Sequence, residues 1–198
     1  MNSEQDWDKL LHIKTSGRDD SNANTFFYPY EPTPYGVLVR LANSGYITSK
    51  DVLLDYGCGK GRVSFFLSYQ TRAKTIGVEY DKRLYEKAME NKEAATSSGR
   101  TEFICADAQE YEVPENVSCC YFFNPFSVEV FHKVLAKIVE SYYRAPRDIQ
   151  LFFYYPSDEY MSSLMTEDTL EFDDEINCDD LFAGSDTRER IMIFRVTG

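Results

Sequence analysis

Basic charge, histidine and long apolar runs are what this chain has least of. Lysine and arginine total 21 against 33 acidic residues, a formal net charge of −12. Such a balance disfavours non-specific affinity for a nucleic-acid backbone. Only two histidines, His12 and His132, and one tryptophan are present. No apolar run approaches the roughly 20 residues a bilayer-spanning helix needs. The polar, acidic opening Met1-Asn2-Ser3-Glu4-Gln5-Asp6 does not read as a signal peptide. Five cysteines, at 58, 105, 119, 120 and 178, form neither an even set nor a CxxC pair. That argues against a disulfide framework and against a zinc site, and it suits a reducing, cytoplasmic setting. No metal-ligand cluster is visible.

What is present is the composition of a packed globule: 198 residues, 43% apolar and 15% aromatic. That length suits one full core with a short appendage. The expected division is an arm, residues 1–32, covering a site, and a main domain over 33–198. Ten of the acidic residues fall between Glu167 and Glu189, with Arg188 as the one basic residue there. Two readings stand: a solvated face that aids solubility, or an acidic rim that attracts a cationic substrate.

Periodicity organises the chain. Trp7, Leu10 and Leu11 predict a short helix over 6–13, and the polar stretch 15–25 reads as a mobile loop. Phe26 to Tyr35 is aromatic and proline-rich, hence extended. A helix is expected to begin near Pro34 with Thr33 as its cap and to end at Gly45. Strand and helix then alternate: strand 51–55, helix 60–70, strand 74–79, helix 81–97, strand 101–105. After a loop come strand 117–123, helix 127–142, strand 148–155 and helix 157–165. Such alternation predicts an α/β fold with a mostly parallel sheet covered on both faces. Two strand-like segments near 168–177 and 188–197, with no helix between, predict a C-terminal antiparallel hairpin.

The densest signal is Val52-Leu53-Leu54-Asp55-Tyr56-Gly57-Cys58-Gly59-Lys60-Gly61-Arg62-Val63. A strand, a glycine turn and a helix N-terminus in that order build a nucleotide-cofactor site. Glu79 ends the second strand, where a carboxylate can accept both hydroxyls of a ribose. Asp107 follows the third strand, placed to accept from an adenine amino group, and Ala106 and Ala108 leave room for the flat base. A dinucleotide fingerprint would need its third glycine at Arg62, whereas Gly61 comes one residue early.

This ordered set resembles the class I S-adenosylmethionine-dependent methyltransferase superfamily, and the resemblance covers roughly residues 33–198. It implies a Rossmann-like, doubly wound, seven-stranded sheet with S-adenosylmethionine as cofactor. It implies that Gly57 and Gly59 lie against the methionine part, that Glu79 holds the ribose with Tyr80 beside it, and that Ala106 and Asp107 frame the adenine. Asp55 would orient the turn and meet the methionine amino group. Glu31-Pro32-Thr33-Pro34-Tyr35 is similar to a Thr-Pro motif of adenine amino-methyltransferases, which places Thr33 and Tyr35 at the cofactor carboxylate. A plain helix cap is the other reading of Thr33.

Phe123-Asn124-Pro125-Phe126, at the end of the fourth strand, resembles the N-P-P-Y motif of methyltransferases acting on planar or amide nitrogen. The resemblance implies that Asn124 and Pro125 accept hydrogen bonds from the target amine, that Phe126 packs on the target, and that Asn124 also borders the cofactor. The second proline is missing here, and a simple strand-to-helix turn capped by Ser127 is the competing reading. Tyr154 and Tyr155, with Tyr28, Tyr30 and Tyr35 of the arm, are placed to form an aromatic wall, and aromatic faces attract ammonium groups. The whole also resembles a group of small uncharacterised bacterial methyltransferases. A nitrogen acceptor on a protein or small molecule is expected. An O-methyltransferase and a non-catalytic cofactor-binding module are the alternatives, and oligomeric state stays open.

Overall fold

The computed structural model describes residues 4–21, 28–96 and 98–197. Seven strands form one sheet in the order β3-β2-β1-β4-β5-β7-β6. They are β1 (Val52–Tyr56), β2 (Lys74–Glu79), β3 (Thr101–Cys105), β4 (Cys119–Phe122), β5 (Gln150–Tyr154), β6 (Leu170–Asn177) and β7 (Arg190–Val196). The first five run parallel, and β7 enters antiparallel between β5 and β6. Central β1 is buried along its whole length, as a strand covered on both faces must be. Its alternate side chains feed two different cores: Leu53 joins the cluster under the N-terminal helices, and Leu54 joins the cluster under the later ones.

Among the described residues six α-helices clothe this sheet: α1 (Glu4–Leu11), α2 (Tyr35–Asn43), α3 (Arg62–Thr71), α4 (Lys82–Ala94), α5 (Val128–Arg144) and α6 (Asp158–Thr166). Three start on capping residues that the sequence supplies. Asp81 accepts from Arg83 N at 2.9 Å, Ser157 from Tyr160 N at 3.2 Å, and Ser127 from Val130 N at 3.5 Å. On α5 the buried Val130, Phe131, Val134, Leu135 and Ile138 fall at helical spacing on one face. Edge strand β6 carries Glu171, Asp173, Asp174 and Glu175, so much of the acidic excess lies on a charged sheet edge that resists further strand pairing.

The arm departs from expectation in two places. Residues 15–21 are pinned, not mobile: Thr15 is fully buried, bonded to Asp8 through its amide (2.9 Å) and its hydroxyl (2.7 Å), and Asp19 pairs with Tyr30. Residues 22–25 of that expected loop, and Phe26 and Phe27, lie outside the described residues. Second, Thr33 does not cap α2. Pro34 holds the cap position without a side-chain bond, and Tyr35 N donates instead to Glu4 Oε1 at 2.8 Å. A carboxylate satisfies a helix N-terminus better than a hydroxyl, because it meets both the free N–H and the helix dipole.

Candidate active site

The order β3-β2-β1-β4-β5 reverses direction between β1 and β4, where ligands of open α/β sheets bind. The glycine turn leaves β1 there and Asn124-Pro125 leaves β4. Gly57, Gly59 and Gly61 all take positive φ, at 68°, 55° and 88°. Gly57 also leaves no room for a side chain, since a Cβ would meet Pro125 Cβ at 2.5 Å. The two turns therefore touch, and a cavity opens beside them.

Asp55, Tyr56, Gly57, Cys58, Glu79, Tyr80, Ala106, Pro125 and Phe126 line this cavity, and Tyr28 to Thr33 of the arm roof it. Asp55 is buried and accepts from Ser64 Oγ at 2.7 Å. Burial, aided by the nearby Glu79 charge, pushes its carboxyl up to about 7. Glu79 is oriented by two backbone donors, Gly59 N and Asp81 N, each at 2.8 Å. Burial raises its carboxyl as well. Val78, Leu84, Ala106 and Ala108 give the same cavity an apolar wall. The donor set fits an adenosyl cofactor: an oriented carboxylate for a diol, an apolar slot for a base, and glycines that leave backbone exposed. Tyr56 lines the cavity, and its hydroxyl is buried and without a hydrogen-bond partner among the described residues.

Not every expected residue reaches the cavity. Thr33 lines it, but its hydroxyl pairs with Tyr121 Oη at 3.1 Å. The Tyr35 side chain stands apart, its ring buried against Trp7 and Phe66 and its hydroxyl donating to Asp8 at 2.6 Å. Asp107 is absent from the lining; its carboxylate accepts from Gln109 N at 2.9 Å and from Gln109 Nε2. Gly59 is covered by Tyr30, whose ring lies 2.2 Å from where a Cβ would stand.

Asn124 faces a neighbouring pocket, which shares Tyr28, Pro29, Glu31 and Phe123 with the cavity. Its amide nitrogen donates to Tyr155 O at 2.7 Å, tying the ends of β4 and β5 together. Both residues take positive φ, 41° and 52°, a conformation that asparagine tolerates and tyrosine seldom adopts. Strain of this kind gathers where side chains must be aimed. Phe126 is nearly buried; its ring stands edge-on to Tyr56 and Phe122, and its carbonyl accepts from Tyr160 Oη at 2.7 Å. Neither histidine lines the cavity or this pocket, and His132 sits on the exposed side of α5 near Ser163.

Arg62 escaped the reading by motif. It is 3% exposed and lines the cavity at the start of α3. Its guanidinium bonds Glu4, Thr33 O (3.2 Å) and Thr15 Oγ1 (2.7 Å), and it lies 4.3 Å from the Tyr35 ring centroid. Nothing local in the sequence marks these partners, which lie 29 to 58 positions away. Among the described residues no group of three or more histidine, cysteine or carboxylate side chains is placed to hold a metal ion.

The fold is the α/β, Rossmann-like fold that S-adenosylmethionine-dependent methyltransferases share. Residues 53–147, just under half of the chain, match the model of a methyltransferase domain family. A protein-lysine N-methyltransferase of Saccharolobus islandicus (strain REY15A) is 28% identical over 88 residues, 44% of this chain. That match spans about half, 55%, of the relative's length. Two solved structures share the fold. An RNA methyltransferase from Salinibacter ruber, in complex with S-adenosyl-L-homocysteine, superposes with a TM-score of 0.60 at 18% identity, covering 84% of this chain and 92% of that one. A TehB-like S-adenosylmethionine-dependent methyltransferase from Corynebacterium glutamicum also gives 0.60, at 16% identity, over 82% of this chain and 88% of that one.

Proposed function

We propose that the chain transfers a methyl group to a nitrogen acceptor carried by a protein or a small molecule. When bound, S-adenosylmethionine supplies a methyl carbon activated by a sulfonium. The protein's task is then alignment, which by itself accounts for a large share of the rate. Glu79 and the Val78–Leu84–Ala106–Ala108 wall would hold the adenosyl part, with Gly57 and Asp55 towards the methionine part. Asn124 offers its amide oxygen to a target N–H, and the Pro125 carbonyl, which accepts from Tyr28 N at 3.4 Å, keeps a second lone pair for it. The observation that carries this reading is the fixed Asn124 amide, held by Tyr155 O on the pocket that adjoins the cavity. No hydrogen bond to its oxygen is formed within the described residues, so that oxygen is free to accept. No histidine lines the cavity or the pocket among the described residues, so carboxylates are the bases at hand for the acceptor's proton. The lysine activity of the S. islandicus relative supports nitrogen as well. Five free cysteines agree with a cytoplasmic setting.

Asn124→Gly is the informative variant, because glycine accepts the positive φ and removes only the amide. Turnover should fall about 100-fold while S-adenosylmethionine affinity by calorimetry stays within twofold. Unchanged turnover would remove Asn124 from the acceptor site.

A further inference from the structure

Two observations at the acceptor pocket point past nitrogen in general, towards one class of nitrogen. The first is negative. Phe126, the ring that the motif would stack on a planar base, offers no face for it, being 2% exposed with Tyr56 and Phe122 against it. The second is the pocket wall itself. Phe123 and Tyr155, both half-buried, meet there, with the Tyr154 ring, 2% exposed, behind them, and the three are set at steep angles. Centroids are 4.7 Å apart for Phe123–Tyr154, 6.0 Å for Tyr154–Tyr155 and 6.5 Å for Phe123–Tyr155, at 54°, 50° and 86°. Rings inclined in this way surround a compact group instead of sandwiching a flat one.

Charge completes the enclosure. Glu31 and Glu189 line the same pocket, with Phe182 of the β6–β7 connection. The Glu189 carboxylate is oriented by Tyr154 Oη, which donates to it at 2.6 Å. The one basic residue on the wall, Arg18, is 57% exposed and already paired with Asp20 at 2.7 Å and with Glu31 at 3.5 Å. The Arg188 guanidinium, paired with Asp186, lies 4.5 Å from the Tyr155 ring centroid, so that ring already holds one cation.

Taking the nitrogen-methyltransferase reading as its basis, the geometry points to a primary alkylammonium, of the kind a lysine side chain presents, as the group this pocket recognises. The half-buried Phe123 and Tyr155 rings take the methylene stem and the cationic head, and Glu189 with Glu31 supplies the counter-charge. A neutral base or an alcohol would bring no positive charge to these two carboxylates, which among the described residues are met by the exposed Arg18 and by the Tyr154 hydroxyl alone.

The test uses the full chain without cofactor. Nuclear magnetic resonance titration compares Nα-acetyl-lysine methylamide with its neutral isostere, Nα-acetyl-norleucine methylamide, and with adenosine. The lysine compound should bind at least tenfold more tightly than the isostere, with shifts at Tyr154 and Phe182. Glu189→Gln should remove most of that preference, and Phe182→Ala, at the pocket's exposed edge, should weaken binding of both lysine and norleucine compounds. A lysine-containing ten-residue peptide forms a second arm. Tighter binding of the peptide than of the amide assigns the ammonium to a protein, and equal binding assigns it to a small amine. Equal affinity for lysine and norleucine compounds, or a preference for adenosine, overturns the inference. Methyl-transfer assays with adenosine and with the lysine peptide separate the two levels. Methylation of adenosine alone leaves the nitrogen reading standing and removes the alkylammonium, whereas methylation of an alcohol alone removes the nitrogen reading as well.

Discussion

Asp55 carries the sharpest consequence of burial at a single residue. Its neighbours within reach are Ser64, which donates to it, and Glu79, whose charge opposes its ionisation. In the unfolded chain the carboxyl titrates near 3.8, and in the folded chain at about 7. Between those values the folded state holds a proton that the unfolded state has lost. This contribution is therefore fully present below the unfolded value and is lost as pH rises through about 7. At about 1.4 kcal/mol for each pH unit of difference, the loss is on the order of 4 kcal/mol. Urea unfolding between pH 4 and pH 8 should show stability falling with pH, and Asp55→Asn should flatten that slope. An unchanged slope in the variant would mean that Asp55 ionises freely in the fold. Residue types at Asp55, Glu79 and the glycines were legible in the sequence because each must sit at a strand end or in a left-handed turn. The bonds of Thr33, Tyr35 and Asp107 were not, since their partners come from elsewhere in the chain.

At the scale of elements, the turn between β1 and α3 works because it is packed from behind. Gly61 has φ 88°, and a Cβ there would lie 2.6 Å from Phe103 and 2.9 Å from Phe65. Gly61→Ala thus combines left-handed strain of 1–2 kcal/mol with overpacking of similar size. A loss of about 3 kcal/mol is expected, seen as a fall in Tm of roughly 10 °C for a chain of this length. A fall of under about 2 °C would show that Phe103 moves aside freely. The elements themselves were legible from periodicity: helix and strand type agree along the described chain, with ends displaced by at most three residues. What periodicity could not supply is the insertion of β7 between β5 and β6, because adjacency in a sheet is decided by which edge remains open.

For the whole molecule, the arm is the part whose role depends on everything else. Leu11 and Ile13 belong to the same core cluster as Leu53 and Phe66, so the arm is built into the domain. Arg62 joins them: its guanidinium reaches Glu4 on α1, Thr15 and Thr33 on the arm, and lies 3.8 Å from Asp8. Asp8 is held below the usual carboxylate range. Burial works against this, but hydrogen bonds from Tyr35 and Thr15 and the Arg62 charge outweigh it. Removing the guanidinium leaves these acceptors unsatisfied in a buried place, so Arg62→Ala should cost about 3 kcal/mol in denaturant unfolding. Arg62→Lys should recover little of it, since one ammonium cannot reproduce a planar fork. A loss below 1 kcal/mol in the alanine variant would mean that the arm is held by its apolar contacts alone.

The sequence by itself determined the strand–turn–helix order, the positions that must be glycine, and the acidic residues closing β1 and β2. These are matters of backbone conformation and of spacing along one element, which neighbouring residues settle between themselves. Tertiary structure alone decided that Glu4, not Thr33, caps α2, that Arg62 gathers the arm, and that Glu31 and Glu189 share one aromatic pocket. Each of those pairs groups far apart in the chain, and burial dictates that such groups find partners without dictating which.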